Sequence, residues 1–164
     1  MLNVSKNRCC CFFGHRNVAP SLQIINNVSS SVTDLIVNHG VDTFLFGSRS
    51  SFDQLCHDVV SQLKAKHPHL KRIYVRAEYP FISNSYKDHL LQFYEDTYFP
   101  NKILNAGKAS YIERNQEMID NSAFCIIFYN ENISKKKSGT RVAFNYAKRK
   151  NLRIKNVAEM DEKP

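Results

Sequence analysis

Short apolar runs alternate along this chain with longer segments in which apolar residues recur every three or four positions. A short apolar run bounded by turn residues predicts a strand buried on both faces, and the longer periodicity predicts an amphipathic helix. The predicted strands are residues 9–13, 43–46, 72–76, 123–129 and 152–157. The predicted helices are residues 21–38, 52–66, 111–120 and 141–150.

Strands that alternate with helices predict a three-layer, Rossmann-like α/β fold, doubly wound, with a mostly parallel sheet of about five strands. The usual strand order of such sheets places residues 9–13 beside residues 123–129 at the centre. We expect a lead-in over 1–8, a single domain over 9–157 and a tail over 158–164. Residues 77–110 are rich in aromatic side chains and lack a clear period. There we predict a helix over 87–98 and a short strand over 102–105.

The composition favours a globular protein with acidic partners. Of the 164 residues 43% are hydrophobic, and the net charge is +8. A basic chain attracts nucleotides, nucleic acid or phosphorylated metabolites. Five cysteines are present, and Cys9, Cys10 and Cys11 are consecutive. Because neighbouring strand residues point to opposite faces, we expect reduced core thiols and not a disulfide framework.

The sequence contains neither a recognisable signal peptide nor an apolar run of the ~18 residues that a membrane span needs. No cysteine spacing suggests zinc. We therefore expect a cytoplasmic protein that has no metal and no cofactor and does not contact a membrane.

Candidate anion-binding groups follow two of the predicted strands. Gly14-His15-Arg16 ends the first strand, and glycine there lets the backbone turn sharply or approach a ligand. Ser138-Gly139-Thr140 opens the last helix, where free N–H groups and a positive dipole end attract anions. If the two central strands are adjacent, both motifs face one crevice, and Gly47-Ser48 flanks it.

These motifs together resemble the SLOG superfamily, and specifically a small bacterial branch of unassigned function. Its first strand ends in Gly-His-Arg, as Gly14 to Arg16 do here. Its second strand ends in a Gly-rich turn before Phe-Asp, as Gly47 to Asp53 do. Its third element carries Arg-Asn-x-x-Met-Ile/Val-Asp-x-Ser, a buried strand and a Gly-Thr helix start, which match residues 114–122 and 139–140. The resemblance implies a Rossmann-like fold that binds nucleotides or nucleotide-derived ligands.

The motifs and the resemblance predict a set of ligand-binding residues: Gly14, His15, Arg16, Gly47, Ser48, Asp53, Arg114, Asn115, Ser138, Gly139 and Thr140. One departure is Ser48, where the branch has a second glycine, although the following Arg49 adds a charge. Several residues of this set could instead have a purely structural role.

Ser138 suits a helix N-cap, and Asp53 complements the dipole of a helix as readily as it contacts a ribose. His15 could be a satisfied turn histidine, Arg16 could pair with an acidic helix residue, and Arg114 could pair with Glu117 or Asp120. The lysines at 135–137 are typical of a solvated loop.

Hydrolysis by the mechanism of the superfamily's phosphoribohydrolases is disfavoured on one specific ground. The superfamily's phosphoribohydrolases carry an arginine before the central strand and then Gly-Gly-x-Gly-Thr-x-x-Glu. Arg114, Gly139 and Thr140 match that pattern, but Ala143 stands at the glutamate position. A carboxylate that activates water or stabilises a cationic sugar is missing there. The favoured function is therefore a nucleotide-binding sensor or ligand-binding module.

Two other functions stay open. An N-glycosidase-type hydrolase acting on a nucleoside monophosphate would use Arg114 with another acid, Glu117 first and otherwise Glu113 or Asp53. A nucleic-acid-binding protein is disfavoured because the basic residues are scattered and match no known motif. A homodimer is expected because the superfamily's enzymes often pair through helices.

Overall fold

Strand and helix alternate along the chain in the computed structural model, which describes residues 3–48, 50–132 and 138–158. The strands are β1 (Cys9–Gly14), β2 (Thr43–Phe46), β3 (Lys71–Val75), β4 (Asp96–Tyr98), β5 (Phe124–Phe128) and β6 (Arg153–Asn156). The helices are α1 (Leu22–His39), α2 (Ser51–Lys64), α3 (Asn84–Leu90), α4 (Ser110–Asp120) and α5 (Gly139–Arg149). Short 3₁₀ turns occupy Lys6–Arg8, Asn101–Ile103 and Gly107–Ala109.

The strands form one parallel sheet in the order β4-β3-β2-β1-β5-β6. β1 and β5 are the central pair, in a register that runs from Cys10 opposite Phe124 to Gly14 opposite Phe128. The predicted α/β class and the adjacency of these two strands are confirmed. The sheet has six strands instead of about five, because β4 was not recognised in the sequence.

Each face of the sheet buries its own core. Cys10, Phe12 and Phe46 point to the face covered by α1 and α2. Cys9 and Cys11 point to the other face, where α4 and α5 pack. All five cysteines are free and buried, as expected for core thiols, and burial raises the pKa of Cys9 to about 12. The three layers therefore follow directly from the alternation of side chains along β1.

Serine N-caps start four of these helices. The side chains of Ser21, Ser50, Ser83 and Ser138 each accept the backbone N–H three residues later, at 3.1–3.2 Å. Each cap satisfies one of the N–H groups that a helix start leaves without an intrahelical partner. Gly40, in the left-handed conformation (φ 67°), ends α1 where the sequence predicts its end.

The helix predicted over 87–98 is wrong. α3 ends at Leu90, and β4 begins at Asp96 as an edge strand beside β3. Arg72 holds this segment against β3, since its backbone N–H, Nε and Nη2 donate to the Glu95 carboxylate at 2.7–3.0 Å. Lys64 adds an ion pair at 3.1 Å. Partial burial would raise the pKa of Glu95, but these donors hold it at about 2.

The strand predicted over 102–105 is also wrong. Asn101–Ile103 is a 3₁₀ turn in which only Ile103 is buried, while Leu104 is half exposed. One apolar anchor cannot hold a strand that has no neighbour to pair with.

Arg49, the lysines at 135–137 and all of the predicted tail except Ala158 lie outside the described residues. Within the described ranges, no helix is long and apolar enough to cross a membrane.

We expect Gly14→Ala to destabilise the fold by about 1–3 kcal/mol, the usual cost of overpacking a core. A Cβ at residue 14 would lie 2.7 Å from the Cβ of Phe52 and would overlap its fully buried ring. Urea unfolding measures the loss. Gly139→Ala is the matched control, since a Cβ there meets nothing within 4 Å. Equal unfolding free energies for the two variants would contradict this packing.

Candidate functional site

A cleft of about 1200 Å³ lies at the carboxyl ends of β1, β2 and β3. Its volume exceeds the roughly 300–1,000 Å³ of typical ligand pockets, so a nucleotide fits inside it. Every residue predicted to contact the ligand lines this cleft: Gly14, His15, Arg16, Gly47, Ser48, Asp53, Arg114, Asn115, Ser138, Gly139 and Thr140. The predicted set is therefore brought together at one edge of the sheet.

The end of β1 is tied to the start of α5. The Thr140 hydroxyl donates to the Gly14 carbonyl at 2.9 Å. On the other side, the Phe52 ring packs so closely against Gly14 that any side chain at residue 14 would displace it. These two contacts fix the β1 turn relative to the helix that begins at Gly139.

His15 is buried, with 7% of its surface exposed, and packs beside Phe128 and Tyr129 at ring-centroid distances of 5.9 and 5.6 Å. Its Nε2 accepts the backbone N–H of Asn130 at 2.9 Å. Burial lowers the pKa of His15. Because Nε2 acts as an acceptor, the ring is neutral and carries its proton on Nδ1. His15 thus positions the loop after β5 as well as lining the cleft.

The start of α5 presents backbone donors to the cleft. Ser138 caps the helix by accepting the Arg141 N–H at 3.1 Å, which confirms the N-cap reading. The N–H groups of Gly139 and Thr140 belong to the first helical turn and have no intrahelical acceptor. Gly139 leaves this surface open, since, beyond its chain neighbours and its own helix backbone, no atom of the described residues lies within 4 Å of the position that its Cβ would occupy.

Arg16 extends an exposed side chain at the same edge. Its backbone is fixed, because its carbonyl accepts the N–H of Ser51 at 3.3 Å and the Ser51 hydroxyl at 3.1 Å. Its guanidinium makes no hydrogen bond or ion pair with another described residue. Arg16 is therefore a cation on a fixed backbone with its side chain free to bind an anion.

Arg114 is the buried cation of the cleft, with 4% of its surface exposed. Its Nη1 donates to the carbonyls of Gly47 and, at 3.4 Å, Val75, and its Nε donates to Asn115 Oδ1 at 2.9 Å. A Cβ at Gly47 would lie 2.8 Å from this Nε and 2.7 Å from Met118 Sδ, so any side chain at residue 47 would force these side chains to shift.

No carboxylate among the described residues lies within the 4.0 Å of an ion pair to Arg114. Pairing with Glu117 or Asp120, one of the open readings of the sequence, does not occur. Both of those acids pair instead with Lys102, at 3.0 and 3.6 Å.

Asp53 is the buried acid of the cleft, with 4% of its surface exposed. Its Oδ2 accepts the Ser48 N–H at 2.8 Å, which closes the turn between β2 and α2. Burial raises its pKa to about 6, although hydrogen bonds from Ser48 and the charge of Arg114 act in the opposite direction. The carboxyl group therefore titrates near neutral pH.

The chain matches a known protein family. The family model named YpsA, described as the YspA SLOG family, matches residues 10–162. The chain belongs to the YspA SLOG family. The match spans β1 to β6 and the whole predicted ligand-binding set, so the SLOG resemblance of the sequence is confirmed. Membership indicates a nucleotide-related binding or modifying role. A search of curated proteins gave no match.

The SLOG cleft has a further wall that sequence reasoning missed. It is built by the loop after β3 together with Tyr86 of α3 and Tyr111 of α4, and its residues are Arg76, Glu78, Tyr79, Phe81, Tyr86 and Tyr111. The predicted parallel sheet already implied that the loop after the third strand shares this edge. The density of aromatic residues in this stretch was the available signal, but it was not connected with the site.

Two residues that bear on the hydrolase hypothesis, Glu117 and Ala143, do not line the cleft. Glu117 is held by Lys102 and accepts a hydrogen bond from Tyr98 at 3.4 Å. Ala143 is 2% exposed and packs in the core beneath α5. Of the three alternative acids, only Asp53 lines the cleft. In the described part of the chain, no three His, Cys, Asp or Glu side chains are grouped to hold a metal ion.

We expect the buried Asp53 to make the stability of the protein depend on pH. Its pKa is raised from 3.8 to about 6 in the folded chain, which therefore binds this proton more tightly than the unfolded chain does. The stabilisation is complete below about pH 4 and is lost as the pH rises through about 6. At about 1.4 kcal/mol per pKa unit, the loss is about 3 kcal/mol.

Urea unfolding of the native chain and of Asp53→Asn at pH 4, 5, 6 and 7 measures this effect. Asparagine keeps an oxygen for the Ser48 N–H but cannot ionise. The native chain should lose stability relative to the variant as the pH rises. A difference in unfolding free energy that stays constant from pH 4 to 7 would rule out a raised pKa at Asp53.

Proposed function

We propose that this SLOG-family protein binds a nucleotide or nucleotide-derived ligand in the cleft and acts as a sensor or ligand-binding module. The observation that carries the proposal is the state of Arg114. Arg114 is 4% exposed, has no described carboxylate at ion-pair distance and lines a cleft large enough for a nucleotide.

A buried charge is costly unless an opposite charge or several hydrogen bonds compensate it. Arg114 has three carbonyl-type acceptors, from Gly47, Val75 and Asn115, and Asp53 makes the largest favourable charge interaction with it. No described carboxylate forms an ion pair with the guanidinium within 4.0 Å. An anionic ligand group would supply the direct ion pair that the described residues do not make.

The other groups in the cleft suit the remaining parts of a nucleotide. The exposed Arg16 guanidinium and the free N–H groups at the start of α5 are suited to phosphate oxygens. The carboxylates of Asp53 and Glu78 can accept hydrogen bonds from ribose hydroxyls. The cleft thus combines hydrogen-bond donors for a phosphate with acceptors for ribose hydroxyls. This combination favours a nucleotide over inorganic phosphate as the ligand.

We expect Arg16→Ala to weaken nucleotide binding by about 1.5–3 kcal/mol, the contribution of a charge-assisted hydrogen bond. Arg16 is exposed and supports the fold through its backbone carbonyl, so the variant should keep its unfolding temperature. Titration calorimetry with nucleoside monophosphates gives the affinity. Arg149→Ala is the matched control, because Arg149 is exposed in the last turn of α5, away from the cleft.

Arg114→Ala should weaken binding by a similar amount, with circular dichroism confirming the fold. Unchanged titration curves for both cleft variants, with the fold intact, would reject the assignment of this site. Loss of affinity in the Arg149 control as well would indicate an effect of net charge alone.

Hydrolysis of an N-glycosidic bond is the alternative that one observation favours. Asp53 lies in the cleft near Arg114 and has a pKa of about 6, which suits a general acid or base near neutral pH. The buried Ala143 argues against the mechanism of the phosphoribohydrolases. The homodimer expected from the resemblance stays a prediction.

We expect no rapid release of the base from AMP, GMP, CMP or UMP. Chromatography of the reaction mixtures measures the release. A missing positioned acid or base typically costs about 10²–10⁴ in rate. Turnover above ~1 s⁻¹, within the ordinary enzyme range, would overturn the binding-module proposal. Asp53→Asn is then the diagnostic variant: its inactivity would make Asp53 the acid, whereas Glu117→Gln should retain the activity of the native chain.

A further inference from the structure

The wall of the cleft formed by the loop after β3 exposes aromatic rings. Phe81 is 87% exposed and Tyr79 is 63% exposed, and both line the cleft. Tyr111, from α4, is 51% exposed in the same cleft. Single exposed apolar residues are common on protein surfaces, but three aromatic side chains that are more than half exposed in one cleft indicate a binding surface.

Arg76 restrains the turn of this loop through hydrogen bonds. Tyr79 has a positive φ of 59°, a conformation that bulky residues rarely adopt. Among the described residues, the other non-glycine residue with a positive φ is Asn151, a residue type that adopts it more readily. Arg76 holds this turn by donating from Nε to the Tyr79 carbonyl at 3.2 Å. Its Nη1 donates to Thr97 Oγ1 of β4 at 2.9 Å.

A second restraint joins the same loop to α4. The Tyr111 hydroxyl donates to the Glu78 carboxylate, and the Tyr111 ring lies 5.7 Å from the guanidinium carbon of Arg114. The aromatic wall is thus connected through one side chain to the buried cation of the cleft. An unfavourable backbone conformation that its surroundings maintain is typical of functional sites.

We propose that Tyr79 and Phe81 form a stacking platform for the aromatic base of the ligand. The inference rests on the proposed function, since the anion-binding groups of the same cleft select a phosphorylated ligand. Every nucleobase has a flat π face, so such a platform selects for the presence of a base and not for its identity. The contacts that restrain this loop also reduce the entropy cost of ordering it on binding.

The chain contains no tryptophan, which allows a direct test. Phe81→Trp places the one tryptophan of the chain on the platform, and titration with AMP, GMP, CMP and UMP follows its emission under excitation that is selective for tryptophan. Stacking should change the emission in a saturable manner, with the same Kd that calorimetry gives. Phe93→Trp is the matched control, because Phe93 is 46% exposed but lies outside the cleft lining, and its emission should not change.

Deletion of the rings gives the affinity that they contribute. For the nucleotide that binds most tightly, Phe81→Ala and Tyr79→Asn should each raise Kd about tenfold, or about 1.4 kcal/mol. Asparagine tolerates the positive φ of residue 79, so Tyr79→Asn removes the ring without straining the turn. Phe81→Tyr keeps a ring and should keep the native Kd.

Each other result has a distinct meaning. Unchanged Kd in both ring deletions would overturn the platform and leave the proposed function standing. Unchanged Kd together with an altered sedimentation coefficient in Phe81→Ala would assign the rings to a protein interface and also overturn it. If none of the four nucleotides binds the native chain, the proposed function fails and the platform fails with it.

Discussion

The guanidinium of Arg114 reaches the end of β2 because residue 47 has no side chain, and the rest of the cleft depends on this approach. Once there, it is nearly excluded from water and bonded to the carbonyls of Gly47 and Val75. No described carboxylate forms an ion pair with it. A buried cation without a direct ion pair makes an anionic ligand energetically useful to the fold as well as to function.

The parallel sheet determines what surrounds that cation. Parallel strands end at one edge, so the turns after β1, β2 and β3 and the start of α5 all meet there. Hydroxyl groups at this edge hold the turns in place. Thr140 donates to the Gly14 carbonyl, Ser51 donates to the Arg16 carbonyl, and Ser138 caps α5. The groups left for a ligand are backbone N–H groups, two arginines, two carboxylates and the aromatic wall.

Much of this arrangement was predictable from the sequence, because the central strands are apolar runs and the motifs follow them directly. Once β1 and β5 were placed side by side, Gly14, Arg16 and Ser138 had to face one crevice. The segment from 77 to 110 was not predictable in the same way. β4 is a three-residue edge strand held by the charges of Arg72 and Glu95, which leave no hydrophobic period. The loop of the aromatic wall turns at Tyr79, whose carbonyl accepts a hydrogen bond from Arg76. Residue spacing along the chain does not reveal this contact.

The central claim is that this cleft binds a phosphorylated nucleotide, and thermal unfolding of the native chain tests it most directly. The ligands are nucleoside mono-, di- and triphosphates, cyclic nucleotides and ADP-ribose derivatives, each compared with its unphosphorylated nucleoside. A ligand that binds only the folded chain stabilises it by about 2.7 kcal/mol at 100 times its Kd. The account predicts that at least one phosphorylated ligand raises the Tm with increasing dose and that its nucleoside raises it less. A Tm that no nucleotide raises at millimolar concentration, or that nucleosides raise equally, would contradict it.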